Sequence, residues 1–315
     1  MLFRSIVKVS VTGLGSLENR IAAPTSENAV AKRIPLESHL DNLNLEKTAG
    51  GSGLTCLGEK QINLRKVGTG PEVAVFVHGL GSSSEYFTPI IKGGGFEDRY
   101  TSYVYDLEGH GLSPTNVASV VTIESFADDL ANVVAMTGAS SITLFAHSLG
   151  CVIATAFTLR DSKKVKKLIL MGPAPCPLPE AGQVAMGKRA AAVRENGMMA
   201  SGVADAVSDA GTSNATKVYQ PVAYTAVRAS LLSTNPEGYA KACTALKEAS
   251  AMEVEKLTMP VFLVTGDEDK TSPPQVVTDL HQRIPDSRME VLRYTGHWHV
   301  YENPEGISRL VKFFA

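Results

Sequence analysis

The sequence predicts an α/β fold: a doubly wound, mostly parallel sheet interrupted late by an inserted helical lid. Three observations carry this reading. Continuous apolar strands alternate with amphipathic helices between residues 60 and 173, the pattern of a sheet covered on both faces. The stretch from Ala174 to about Ser250 is Ala- and Met-rich, helical in spacing and strandless. Beyond it, two apolar strands and a closing helix return.

Residues 1–55 have mixed composition and read as an N-terminal extension, disordered or targeting. Within it, "TAGGSG" (Thr48 to Gly53) reads as a linker into a domain spanning 56–315. Arg4 and Lys8 precede the first acid, Glu18, as in an organelle-targeting leader, but Glu27, Glu37 and Asp41 dilute that signal, and no long apolar core marks a secretory one. Gln61 to Val67 alternates like a strand, and Gly68-Thr69-Gly70-Pro71 is a turn. Val73 to Val77 is a continuous apolar strand that ends in His78-Gly79-Leu80-Gly81, and "TSYVYDLEGHGLS" is a strand running into a glycine-punctuated loop. In "IESFADDLANVVAMTG", Ile123, Phe126, Leu130, Val133 and Val134 share a helix face, and Gly138 suits its C-terminal end. Next come a strand over Ile142 to Phe145, a helix over Cys151 to Arg160 and a strand over Val165 to Pro173. After the insertion, "MPVFLVTGDEDK" and "RMEVLRYTGHWH" are strands, and Gly306 to Phe314 is a helix. A helical segment placed late in such a sheet is expected to cover the strand C-termini, where ligands bind.

Bulk properties exclude several classes. With 30 Lys plus Arg against 32 Asp plus Glu, the net charge is −2, so no basic face for nucleic acid is implied. No stretch approaches the ~20 uninterrupted apolar residues of a membrane span. Cys56, Cys151, Cys176 and Cys243 are scattered without a C-x-x-C pair. They read as reduced thiols of an intracellular, cytoplasmic protein, with a mitochondrial location as the alternative offered by the N-terminus. "IIKGGGF" lacks the G-K-[ST] ending of a phosphate-binding loop, and no cofactor is expected.

The chemistry concentrates at Ala146-His147-Ser148-Leu149-Gly150, a polar pair wedged between a buried strand and a buried helix. Small residues around one central serine make a sharp strand-turn-helix corner that thrusts the hydroxyl out at the sheet edge. The alternative for Ser148 is a plain helix cap. A serine nucleophile needs a base held by an acid, and in this arrangement they follow in the order Ser, acid, His. Two strand ends supply them downstream: Gly266-Asp267-Glu268-Asp269 and Gly296-His297-Trp298-His299. Asp269 sits where its loop can turn back to a histidine, whereas Asp267 directly follows the glycine. Spacing alone does not choose between His297 and His299. The His-x-His pair would also suit a metal, but no third ligand stands beside it, so no metal is assigned. The backbone N–H groups of Leu149 and Leu80 would form the oxyanion hole. His78 and His110, each preceding a loop glycine, read as structural.

With these residues in view, the chain from about Lys60 to Ala315 resembles the α/β-hydrolase superfamily. The motifs that carry the likeness are "VFVHGLGSSSEYF", "YDLEGHGLSP", "FAHSLGCVIA", "LVTGDEDKTSPP" and "GHWHVYENPE". The resemblance supports Asp269 through G-x-x-D and His297 through G-H followed by Glu302 and Pro304. It implies a serine hydrolase that cleaves a carboxylic ester or lactone through an acyl-enzyme. A serine at this position argues against haloalkane dehalogenases and epoxide hydrolases, whose relatives use Asp. A C–C bond hydrolase and a non-catalytic small-ligand receptor are the alternatives on the same fold. The insertion is similar to the lid of the 3-oxoadipate enol-lactonase group, and Arg189, Arg194 and Arg228 are the lid arginines available to a substrate carboxylate.

Overall fold

Parallel strands that are apolar on both faces can be stable only between two helical layers, and the chain provides both. The computed structural model describes residues 5–11, 15–21, 53–58 and 60–314. Residues 1–48 and 49–315 form separate units. In the first, β1 (Ser5–Val11) and β2 (Gly15–Ile21) pair as an antiparallel hairpin. Most of the expected disordered or targeting extension lies outside the described residues.

The second unit holds eight strands: β3 (Gly53–Leu57), β4 (Lys60–Val67), β5 (Glu72–Val77), β6 (Tyr100–Tyr105), β7 (Ile142–His147), β8 (Val165–Met171), β9 (Val261–Gly266) and β10 (Ser287–Leu292). They form one sheet in the order β3-β4-β6-β5-β7-β8-β9-β10. Only β3 and β4 run antiparallel to their neighbours; β6, β5, β7, β8, β9 and β10 are parallel. Strand β3 begins at Gly53, the last residue that the sequence assigns to a linker.

The helices are α1 (Thr88–Gly93), α2 (Ile123–Met136), α3 (Leu149–Arg160), α4 (Glu180–Ala200), α5 (Val203–Gly211), α6 (Asn214–Tyr219), α7 (Pro221–Ser233), α8 (Pro236–Lys247), α9 (Pro274–Arg283), α10 (His299–Glu302) and α11 (Pro304–Phe314). Alternate residues of each central strand feed opposite cores. On β5, Val75 and Val77 join the cluster that holds Phe126, Leu130, Val133 and Phe157. Ala74 and Phe76 join the one that holds Phe87, Ile90, Tyr100 and Ile307. The central helix α3 is buried on nearly every side, as a helix between sheet and outer helices must be.

Helices α4 to α8 fall between β8 and β9 and sit on the strand C-termini. Lys241 of α8 donates to Ser119 Oγ at 2.8 Å and to the Asn116 carbonyl. The Gly109 and Gly238 backbones touch so closely that a Cβ on Gly238 would lie 2.4 Å from Gly109 Cα. Among the described residues, no helix is long and apolar enough to cross a membrane.

Candidate active site

Every sequence-predicted site residue lies at the C-terminal edge of the parallel strands. His78 to Gly81 follow β5, Ser148 follows β7, Asp269 follows β9 and His297 follows β10. That edge is where open α/β sheets bind ligands.

Ser148 occupies the corner between β7 and α3 at φ 53°, ψ −118°, a conformation that costs a non-glycine residue roughly 1–3 kcal/mol. Two neighbours allow the corner to be this tight. A Cβ on Gly150 would meet the Val77 carbonyl oxygen at 2.2 Å, and one on Gly79 would meet Ser148 Cβ at 2.9 Å. The Ser148 N–H donates to the Met171 carbonyl at 3.0 Å, and the Ser148 carbonyl accepts from Cys151 N–H at 2.9 Å. The side chain makes no helix-capping hydrogen bond; it points to the histidine instead. Helix α3 begins at Leu149, two residues earlier than the sequence suggested.

Ser148 Oγ lies 2.8 Å from His297 Nε2, and His297 Nδ1 lies 2.9 Å from Asp269 Oδ2. The network assigns the proton on Nδ1 to Asp269, which leaves Nε2 to accept from the serine hydroxyl. Asp269 is 2% exposed, and its Oδ1 accepts from Thr271 N–H and Ser272 N–H, each at 2.8 Å. Burial pushes this carboxyl up, but the facing His297 and His299 and the hydrogen bonds outweigh it and hold it well below the usual carboxylate range. Asp267 takes a different part: its Oδ1 accepts from Thr295 N–H at 3.2 Å. Glu268 accepts from Asn214 N–H at 2.9 Å. Of the three candidate acids, Asp269 is therefore the one that meets the histidine.

His299 converges on the same carboxylate, with Nε2 3.4 Å from Asp269 Oδ2. His78 and His110 stand apart from this chain. His78 Nδ1–H donates to the Gly79 carbonyl at 2.8 Å, and its Nε2 accepts from Leu107 N–H at 3.0 Å. Burial lowers His78, and burial with the neighbouring His78 pushes His110 down to about 3. Both are therefore neutral struts. They work with buried Asp106, which accepts from Ser84 N–H at 2.6 Å, Asn63 Nδ2–H at 2.8 Å and Leu112 N–H at 2.9 Å.

Leu149 opens α3, so its N–H has no partner one turn back in the helix. Leu80 sits between Gly79, in contact with the serine, and Gly81, which packs under the lid. A Cβ on Gly81 would meet Leu231 Cδ2 at 2.5 Å and Tyr239 Cε2 at 3.0 Å.

Three further residues hold His297 in place. Glu302 is 3% exposed and accepts from Ser213 N–H and Thr216 Oγ1–H at 2.8 Å, and from Gly296 N–H and Trp298 N–H at 3.0 Å. It clamps both neighbours of His297 and ties them to the start of α6. His147 Nε2–H donates to the His297 carbonyl at 2.8 Å, and the Tyr86 ring stacks on it at 4.4 Å. Burial holds His147 well below its ordinary range, with His297 and His299 adding to the effect. The lid also takes part, since His297 N–H donates to the Gly211 carbonyl at 2.7 Å. The E-x-P signal marked Glu302; nothing in sequence marked the contacts of His147 or Gly211.

The lid arginines divide. Arg194 forms a two-pronged pair with Glu237, and Arg228 pairs with Asp205, all on the exposed surface. Arg189 faces Tyr239 and Cys243; burial pushes the Tyr239 phenol up while Arg189 pulls it down.

Comparison with known proteins gives the same architecture. RutD of Escherichia coli O9:H4 (strain HS), which carries the name carbamate hydrolase, is 25% identical over 253 residues, covering 76% of this chain and 89% of that protein. A thermophilic esterase from Thermogutta terrifontis superposes with a TM-score of 0.76 at 25% identity, covering 84% of this chain and 96% of that one. An enol-lactonase from Burkholderia xenovorans LB400 superposes with a TM-score of 0.75 at 22% identity, covering 83% and 98%, a likeness of fold. The Hydrolase_4 family model, described as Serine aminopeptidase, S33, matches residues 71–303. The chain belongs to that family and is a hydrolase of the α/β-hydrolase superfamily.

Proposed function

We propose that the protein is a serine hydrolase that cleaves carboxylic esters or lactones through an acyl-enzyme on Ser148. One observation carries the reading: an unbroken hydrogen-bonded chain from a strained serine through His297 to buried Asp269. Ser148 Oγ attacks the carbonyl carbon while His297 Nε2 takes its proton. The charge that develops on the carbonyl oxygen falls to the Leu80 and Leu149 N–H groups. The C–O bond to the leaving group then breaks, and His297 returns the proton to the departing alkoxide. In a lactone that alkoxide stays tethered to the acyl group. Water, deprotonated by His297, attacks the acyl carbon and restores the serine. Asp269, ionised throughout, fixes the imidazole tautomer and balances the imidazolium.

The helical lid over the site selects the substrate, with half-buried Met186 and exposed Met199 as adaptable apolar side chains. Within the ester and lactone class, a substrate with a free carboxylate such as an enol-lactone would be met by Arg189, since Arg194 and Arg228 are engaged in ion pairs. Hydrolysis of p-nitrophenyl acetate tests the reading, with Ser148→Ala as the control. Turnover that survives Ser148→Ala removes it. A panel of lactones and esters of rising size, with and without a carboxylate, then tests the lid. Equal losses across the panel in Arg189→Ala discard the charged-substrate version and leave the esterase.

A further inference from the structure

Asp269 carries two imidazoles, and the triad uses one. His299 is fully buried, and neither of its ring nitrogens has a hydrogen-bond partner. Its Nε2 nonetheless sits 3.4 Å from the same Oδ2 that accepts from His297 Nδ1 at 2.9 Å. A buried imidazole without a hydrogen-bond partner is costly, so the carboxylate oxygen 3.4 Å from its Nε2 decides its orientation and tautomer. The titratable groups around it are Asp269 from the loop after β9, His297 from its own segment with ring centres 5.9 Å apart, and His147 from β7 at 5.8 Å. Tyr86 accepts from the N–H of Val300, the residue after His299, at 3.1 Å. The loop after β8 contributes Gly172, where a Cβ would meet His299 Cε1 at 2.6 Å and His297 Cε1 at 3.2 Å. This glycine thus makes room for both rings.

We propose that His299 is a positioning residue for the reaction: as the Nε2–H tautomer it aims a second donor at Asp269 Oδ2, competes with His297 for that oxygen, and so moderates how strongly the acid holds the base. The proposal rests on the triad reading. A carboxylate oxygen shared between two N–H groups is a weaker acceptor for each. With His299 present, less of the Asp269 charge is available to stabilise the imidazolium of His297. Removing the second donor concentrates that charge on His297, so His297 protonates at higher pH and the acid limb of the rate profile moves up.

The experiment is the pH profile of kcat/KM for p-nitrophenyl acetate in the parent, His299→Phe and His299→Gln. The acid limb of His299→Phe is expected to move to higher pH by about half a unit or more. His299→Gln, which keeps an N–H donor of similar reach, should bring it back toward the parent. A merely structural role would lower the rate at every pH without moving the limb. An unmoved limb in His299→Phe, with Ser148→Ala inactive, overturns the proposal and leaves the triad standing. An active Ser148→Ala overturns the triad reading on its own. Should His299→Phe fail to fold, nitrogen-15 NMR of histidine-labelled parent protein decides: an Nε2-protonated His299 supports the proposal, and an Nδ1-protonated neutral ring refutes it.

Discussion

Replacing Glu302 by Gln changes one atom of a carboxylate that holds four donors. The amide keeps an oxygen for Ser213 N–H, Thr216 Oγ1–H and Gly296 N–H, and turns its NH2 toward Trp298 N–H, which now meets a donor 3.0 Å away. The lost bond was to a charged acceptor and buried, so the cost is about 1.5–3 kcal/mol. For a chain of this size that lowers Tm by about 2–5 °C. Activity should fall further than stability suggests. Gly296 and Trp298 flank His297, and a displacement of the base by a fraction of an ångström costs ten- to a hundredfold, by the roughly hundredfold loss expected for 1 Å. The assay is urea denaturation beside kcat/KM for p-nitrophenyl acetate. Exposed Glu305→Gln on α11 serves as control, expected within about 0.5 kcal/mol of the parent. If Glu302→Gln matches Glu305→Gln in both stability and rate, Glu302 does not clamp the histidine loop and the reasoning fails.

Other outcomes follow from the same geometry. Ser148→Gly should abolish hydrolysis yet raise stability by about 1 kcal/mol, because glycine adopts φ 53° without strain; a less stable variant by denaturant midpoint contradicts this. Gly79→Ala places a Cβ 2.9 Å from Ser148 Cβ and 3.0 Å from His147 Nδ1, so kcat should drop at least tenfold; unchanged kcat would show that the oxyanion loop yields freely. Folded His78, His110 and His147 all bind protons more weakly than in the unfolded chain. Below about pH 6.5 the unfolded state takes up protons that the folded state refuses, so stability falls on acidification by up to about 1.4 kcal/mol per pH unit for each. Urea midpoints that do not fall between pH 7 and pH 5 would contradict it.

The central strands and their crossing helices were legible because burial on both faces leaves an uninterrupted apolar signal, as in Val73 to Val77, and because all five residues predicted for the inner face of α2 are buried. Elements with little to bury were not. Strand β3 buries only Leu57 of its five residues, and α9 buries only Val277, so neither carries the continuous apolar run that marks the central elements. The Gly93-Gly94-Gly95 run masked α1, which ends at Gly93. At the site, the order Ser, acid, His could be read along the chain. Spacing alone could not choose between His297 and His299, since both rings reach one carboxylate oxygen; the resemblance, through G-H followed by Glu302 and Pro304, chose His297. The lid arginines were likewise equivalent in sequence; partners such as Glu237 and Asp205, on other lid helices, separate them.

The most direct test of the acyl-enzyme account is covalent labelling. The intact protein is treated with an alkyl fluorophosphonate and the modified peptide is mapped by mass spectrometry. The account predicts one phosphonyl group on Ser148, and loss of labelling in both Ser148→Ala and His297→Ala. Labelling of another residue with Ser148 left free would contradict it.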